Sequence, residues 1–367
     1  MVTASHNPPR DNGYKVYLGG ENLGSQIVTP ADAQIAAEID RVATGSVADL
    51  PRSTDFTIAD DAVVDAYVLA TSLVANTSAP RRDLRVVYSA MHGVGWEVAE
   101  RVLAAAGADL RPVSEQQHPD PEFPTVAFPN PEEPGAMDLT FAHAAGVGAD
   151  LAVVNDPDAD RLGVAIPTRD GSWRALLGNE IGLLLGWRAA QRLVASGQTD
   201  AVLACSLVSS PALALIAAAT GLRHEETLTG FKWISRVEHI GFGYEEALGF
   251  LVDPAKVRDK DGISAALDFL VMASELAAEG RSIEDRLDEL AELVGGTASG
   301  QVSVRVTDLA EISRMSTRLR DQPPAEIAGR AVVSIDDFLT GVGEFARGDI
   351  LRYRLNDGSR IIVRPSG

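Results

Sequence analysis

Leu84-Arg85-Val86-Val87-Tyr88-Ser89-Ala90 leads through Met91-His92-Gly93-Val94-Gly95 into WEVAERVLAAAG, residues 96–107. A short apolar, β-branched run that turns over glycines into an Ala/Leu-rich run is one βα unit, and Gly107 stands where a helix C-cap belongs. The pattern repeats outward from here. LAVVN, from Leu151, enters an acidic loop, and LGVAI, from Leu162, leaves it toward a turn at Arg169-Asp170-Gly171. A third unit runs from about Gly178 to about Gly296; its clearest helix is AALDFLVMASELAAEG, with Ser264 as the candidate N-cap. Period-two alternation in QVSVRV (from Gln301) and in RYRLNDGSRIIVRPSG (to Gly367) then predicts strands of a small closing unit. The fold class is α/β and multidomain: three βα-rich mixed-sheet domains, the first partial, plus a small α+β C-terminal domain. The expected division is 1–78, 79–172, 173–295 and 296–367. Val2-Thr3 reads as the tail of an earlier strand and Arg364-Pro365-Ser366-Gly367 as a loop in mid-course, so both ends read as cut.

The chain has 367 residues, 46% of them apolar, enough for several cores. Its 32 basic and 52 acidic residues give a formal charge of -20, which argues against nucleic acid or anionic lipid as partners. An acidic chain that handles a phosphate ester must neutralise that anion locally. Cys205 is the single cysteine, so no disulfide framework exists, and a reducing cytoplasm fits. No charge occurs from Ala201 to Leu222, yet its serines and Pro211 read as a strand followed by a helix rather than a membrane span. MVTASHNPP lacks the basic start and apolar core of a secretory signal.

The acidic loop is Asn155-Asp156-Pro157-Asp158-Ala159-Asp160-Arg161. Pro157 disfavours helix at Asp156, so the loop is expected to run extended with Asp156, Asp158 and Asp160 on one side. Three converging carboxylates repel unless a hard cation sits among them, and all-oxygen ligands point to Mg²⁺ or Ca²⁺. A solvated acidic turn is the plainer reading of the acids alone; Arg161 beside them suits a phosphate held by the ion. An EF-hand is excluded, because Arg161 and Pro167 occupy the places of its glycine and glutamate.

Thr3-Ala4-Ser5-His6-Asn7-Pro8-Pro9-Arg10-Asp11-Asn12-Gly13-Tyr14-Lys15 presents a serine hydroxyl with cations nearby, and Asn12-Gly13 can turn Lys15 back toward Ser5. No G-x-S-x-G surrounds Ser5 and no Walker sequence occurs, so neither a hydrolase elbow nor a P-loop is supported. His92-Gly93-Val94-Gly95 reads as a tight βα turn, with Val98 where a dinucleotide fingerprint needs a small residue. TLTGFKW, with Lys232, and GYEEALG, with Glu245 and Glu246, are loops of hydrogen-bonding groups suited to sugar hydroxyls, or ordinary surface turns.

In this order TASHNP, DPDADR, TGFKW, YEEALG with RDKDGIS, and RPSG resemble the α-D-phosphohexomutase family of phosphoglucomutases and phosphomannomutases, across the whole chain. GYEEALG and RDKDGIS are most similar to the branch of phosphoglucomutase-2-like and bacterial phosphosugar mutases. The resemblance implies four domains around a cleft and interconversion of hexose 1-phosphate and 6-phosphate through a hexose 1,6-bisphosphate. It implies that Ser5 is phosphorylated and that Asp156, Asp158 and Asp160 bind Mg²⁺ together with the Ser5 phosphoryl oxygen. Lys15 and Arg161 become cationic helpers; as the titratable cation nearest Ser5 in sequence, Lys15 is also the first choice for proton transfer, with His6 or His92 as alternatives. Lys232, Glu245 and Glu246 fall to the sugar; Arg364, Ser366 and Gly367 begin the loop for the nonreacting phosphate. Ala247 departs from the family's frequent serine, which puts one sugar contact in doubt. The rival expectations are a metal-dependent sugar phosphatase, a phosphopentomutase and an inactive sugar-phosphate-binding fragment.

Overall fold

Residues 1–304, 306–308 and 310–365 are described by the structure, a computed structural model. The chain forms two compact units, residues 1–297 and residues 298 onward.

The first unit opens with a loop closed by an antiparallel bridge between Val2 and Tyr14. Strands β1 (Tyr17–Leu18) and β2 (Ser25–Gln26) pair next, followed by helices α1 (Ala31–Ala43) and α2 (Ala62–Ser72). The first large sheet is built from β3 (Arg85–Ser89), β4 (Asp109–Pro112), β5 (Leu151–Val154), β6 (Gly163–Pro167) and β7 (Trp173–Ala175). Its order is β4-β3-β5-β6-β7, parallel from β4 to β5 and antiparallel beyond. The helices α3 (Trp96–Leu103) and α4 (Asp138–Val147) are the crossovers. Central strands covered on both faces need continuous apolar runs, and Val86, Val87 and Tyr88 are all buried.

Helix α5 (Gly178–Ala195) leads into the second sheet: β8 (Val202–Ser206), α6 (Ala212–Thr220), β9 (Arg223–Thr227), α7 (Phe231–Ile234), β10 (Ile240–Glu245) and β11 (Gly249–Leu251). The order is β11-β10-β8-β9, with β8 parallel to β9 and β10 and the β10/β11 edge antiparallel. Helices α8 (Gly262–Ala278) and α9 (Ile283–Val294) complete it. One apolar core runs from Val86 and Leu151 of the first sheet through Leu267 and Phe269 of α8 to Phe242 and Phe250 of the second. The uncharged stretch is thus a buried strand and a helix opened by Pro211, with Cys205 buried in β8. Among the described residues no helix is long and apolar enough to cross a membrane.

The second unit holds α10 (Ala310–Asp321) and an antiparallel sheet of β12 (Glu326–Ile327), β13 (Arg330–Asp337), β14 (Leu351–Leu355) and β15 (Arg360–Val363), in that order. The expected mixed-sheet α/β fold with an α+β closing unit is therefore found. Two local expectations are corrected. Helix α8 starts earlier than Ser264: Asp261 is the N-cap, its Oδ1 accepting from the amides of Ile263 and Ser264 at 3.1 Å each, while the Ser264 hydroxyl donates to the Asp261 carbonyl. QVSVRV forms no strand among its described residues, and Val302 and Val304 are exposed. Alternation yields a strand only where a neighbouring edge takes up its backbone hydrogen bonds.

Candidate active site

The acidic loop leaves β5 and folds as a tight turn, not the extended segment expected. The Ala159 amide donates to the Asp156 carbonyl at 2.8 Å, and Ala159 has φ 60°. Turn geometry, rather than strand alternation, is what gathers the carboxylates: ligand oxygens of Asp156, Asp158 and Asp160 lie within 4.8 Å of one another. The glycine turn after β3 is the seat for this loop. A Cβ on Gly93 would lie 2.3 Å from the Pro157 backbone, and the Val94 amide donates to the Pro157 carbonyl at 3.0 Å. From the other side Gly262 fits against the Arg161 carbonyl, which a Cβ would approach to 2.2 Å. Tyr88 donates to Asn155 Oδ1, and Asn155 Nδ2 donates to the Arg161 carbonyl, tying the two ends of the loop to the sheet.

Ser5 is brought to this turn across the chain. Its Oγ donates to Asp156 Oδ2 at 3.3 Å and lies 3.0 Å from His6 Nδ1. Thr3 Oγ1 accepts from the Ser5 amide and donates to Asp158 Oδ2. Ser5 has φ 54°, an unfavourable left-handed conformation for a serine, of the kind that gathers at functional sites when surrounding bonds hold it. The Val2–Tyr14 bridge returns Lys15 to the same cluster, where its ammonium pairs with Asp158 at 3.0 Å and with Asp160.

Charge governs the rest. Asp156 is fully buried, and that burial, reinforced by Asp160 and Asp158, pushes its carboxyl well above the usual range. Burial acts on Asp160 in the same direction, but Lys260 and Lys15 outweigh it and hold that carboxyl low. Burial lowers His6 to about 4, with Arg161 adding to the effect, so its ring is neutral near pH 7. Arg161 donates its amide to Asp156 Oδ1, while its side chain lies 3.9 Å from both Asp156 Oδ2 and Glu132 Oε2. Among the described residues Asp158 Oδ1 and Asp160 Oδ1 are buried without a hydrogen-bond partner, as carboxylate oxygens prepared for a hard cation would be.

The chain matches the phosphoglucomutase/phosphomannomutase models of α/β/α domain I over residues 1–45, domain II over 65–171 and domain III over 177–294. It is 52% identical to the "Probable phosphomannomutase" of Haemophilus influenzae, covering all of this chain and 74% of that protein. The chain belongs to the phosphoglucomutase/phosphomannomutase family. Members of this mutase family are isomerases that transfer phosphate within a molecule. A mouse phosphopentomutase is 38% identical over 79% of this chain, which spans half of that relative's length. A solved family protein from Burkholderia thailandensis shares the fold, with a TM-score of 0.67 at 20% identity over 96% of this chain and 66% of its own.

The remaining family-motif residues are distributed unevenly. Glu245 ends β10, and its burial raises its carboxyl against the pull of Lys260 and Arg161. Glu246 is held in place, its Oε2 accepting from Ser206 Oγ at 3.0 Å and Ser209 Oγ at 2.9 Å. Lys232 sits in α7, its ammonium 5.5 Å from the Trp233 ring centre. His92 is buried and bonded to Thr125 Oγ1. Arg364 is exposed beyond β15 in the second unit, while Ser366 and Gly367 lie outside the described residues. Lys260, Thr3 and Glu132 are site groups that the sequence reading did not single out. Lys260 pairs with Asp160 at 2.8 Å and lay inside the quoted RDKDGIS, whereas no local signal marked Glu132.

Proposed function

We propose that this chain is a phosphosugar mutase interconverting hexose 1-phosphate and 6-phosphate through phosphorylated Ser5 and a hexose 1,6-bisphosphate. The observation that carries the reading is Ser5 Oγ, 3.3 Å from Asp156 within a carboxylate triad whose free oxygens suit a cation. Asp156, Asp158 and Asp160, with a phosphoryl oxygen on Ser5, would hold Mg²⁺, which supplies charge neutralisation to the transferring group. In the first transfer the bond from phosphorus to Ser5 Oγ breaks and a bond to the sugar hydroxyl forms. The hydroxyl releases its proton and Ser5 Oγ takes one up. Lys15, an ammonium paired with Asp158, can supply the proton that Ser5 Oγ takes up, and His6, neutral and 3.0 Å from Oγ, can accept the one that the sugar hydroxyl releases. After the bisphosphate turns over, the reverse transfer restores phospho-Ser5. In this reading Arg161 serves the phosphoryl group and Glu245, Glu246 and Lys232 the sugar, and the family motif assigns Arg364, Ser366 and Gly367 to the distal phosphate. The four-part division at 78/79, 172/173 and 295/296 belongs to the same proposal, as does a hexose phosphate as the partner. A pentose phosphate is the second reading, favoured by the mouse relative's name.

Intact-protein mass spectrometry after exposure to a hexose 1,6-bisphosphate, with Ser5→Ala alongside, tests it. One phosphoryl group on the native chain and none on the variant, with turnover lost, is expected. Comparable interconversion by Ser5→Ala would refute the phosphoserine route, and release of inorganic phosphate without interconversion would favour a phosphatase.

A further inference from the structure

The loop Phe128-Pro129-Asn130-Pro131-Glu132-Glu133-Pro134 brings Glu132 beside Arg161 of the acidic turn and within electrostatic reach of Glu245 and Glu246. Its prolines limit the backbone, Asn130 Oδ1 accepts from the Glu132 amide at 3.2 Å, and Pro131 packs where a Cβ on Gly163 would lie 3.0 Å away. So held, the loop sets the Phe128 ring 6.3 Å from the His6 ring and Glu132 Oε2 3.9 Å from Arg161. The Arg161 side chain is 12% exposed, and Asp156 and Glu132 stand at equal 3.9 Å separations from it. Among the described residues these are the two acids within 4.0 Å of the guanidinium, so removal of either leaves the other as its partner. On Asp156 it would compete with any cation bound there.

We propose that Glu132 is a positioning residue: it holds the Arg161 guanidinium off Asp156, leaving that carboxylate to a divalent cation and the guanidinium to the phosphoryl group. The inference rests on reading the triad as the metal site of a mutase. The charged groups that face Glu132 are Arg161, Glu133, Glu245 and Glu246.

A double-mutant cycle with Mg²⁺ alone as the probe tests it. Isothermal titration of the full chain is expected to show Glu132→Gln weakening Mg²⁺ about fivefold, but less than about twofold in an Arg161→Met background. An unchanged circular-dichroism spectrum and melting temperature would show that the fold is kept; should the glutamine variant unfold, Glu132→Asp, one methylene short of Arg161, enters the same cycle. Equal losses in both backgrounds would overturn the proposal, as would a native chain that binds no Mg²⁺. The mutase reading is checked separately by Ser5 phosphorylation in the native chain, so either can fail without the other.

Discussion

Two buried acidic centres of this molecule meet the same electrostatic problem in different ways. In α8, Asp268 is fully buried and takes the guanidiniums of Arg188, at 2.7 Å, and Arg192, both from α5. Glu275, also paired with Arg188, completes a network that locks two helices together. At the acidic turn three carboxylates share Lys15, Lys260 and Arg161, and burial still drives Asp156 toward its neutral form. An unpaired oxygen alone does not separate the two, because Asp268 Oδ2 also lacks a partner among the described residues. Charge count does not separate them either, since two guanidiniums face Asp268 and Glu275 and three cations face three carboxylates; what separates them is that three acids cluster at the turn, two of them with an unpaired oxygen, beside a strained serine. The first arrangement stabilises a helix pair, and the second favours an added cation.

The sharpest way to break this comparison is Asp158→Asn. Neutralising one of three ligands should lower turnover on the order of a thousandfold, with the melting temperature nearly unchanged. Near-normal turnover would return the turn to the same class as Asp268. Asp268→Ala should do the opposite: Arg192 loses its acid and Arg188 keeps Glu275 alone, and urea unfolding should register a loss of about 3 kcal/mol, with Mg²⁺ affinity of the folded chain unchanged. A variant of native stability would mean that the helix lock is formed by Glu275 alone.

A smaller effect concerns pH. Glu132 is raised to about 7, chiefly by burial and further by Glu246 and Glu245 against Arg161. Because the value is raised, Glu132 is charged above about pH 7 and neutral below it, so its hold on Arg161 is lost as pH falls. At saturating Mg²⁺, which removes protonation of Asp156 from the comparison, kcat should fall several-fold from pH 8 to pH 6. Glu132→Gln should be low and flat over that range. An identical acid limb in both proteins would exclude Glu132 as its origin.

The smallest expected change is at Lys232. Its removal to alanine should raise KM for the sugar phosphate several-fold and leave kcat within about twofold, as loss of uniform substrate binding does. Equal loss of both constants would place it in the chemical step instead.

Much of this was legible locally. The βα alternation around residues 84–107 required strands buried on both faces, because apolar β-branched runs have no other stable placement. The triad was legible because its acids lie within five consecutive residues, and the serine loop because its motif is contiguous. The N-cap of α8 was misread because Ser264 and Asp261 are both good caps, and only the backbone decides which side chain meets the free amides. Glu132 was invisible since its partner Arg161 lies twenty-nine positions on and meets it only across a folded loop.

By itself, then, the sequence determined the elements, their apolar faces and the chemical types of the site residues, all properties of neighbours along the chain. Which charges meet was decided by tertiary structure alone. Ser5 reaches Asp156 over 151 positions and Lys15 reaches Asp160 over 145, because the glycine turn after β3 seats Pro157 and the Val2–Tyr14 bridge turns Lys15 inward. Electrostatic energies depend on distance through space and on burial, and neither quantity is defined until the chain has folded.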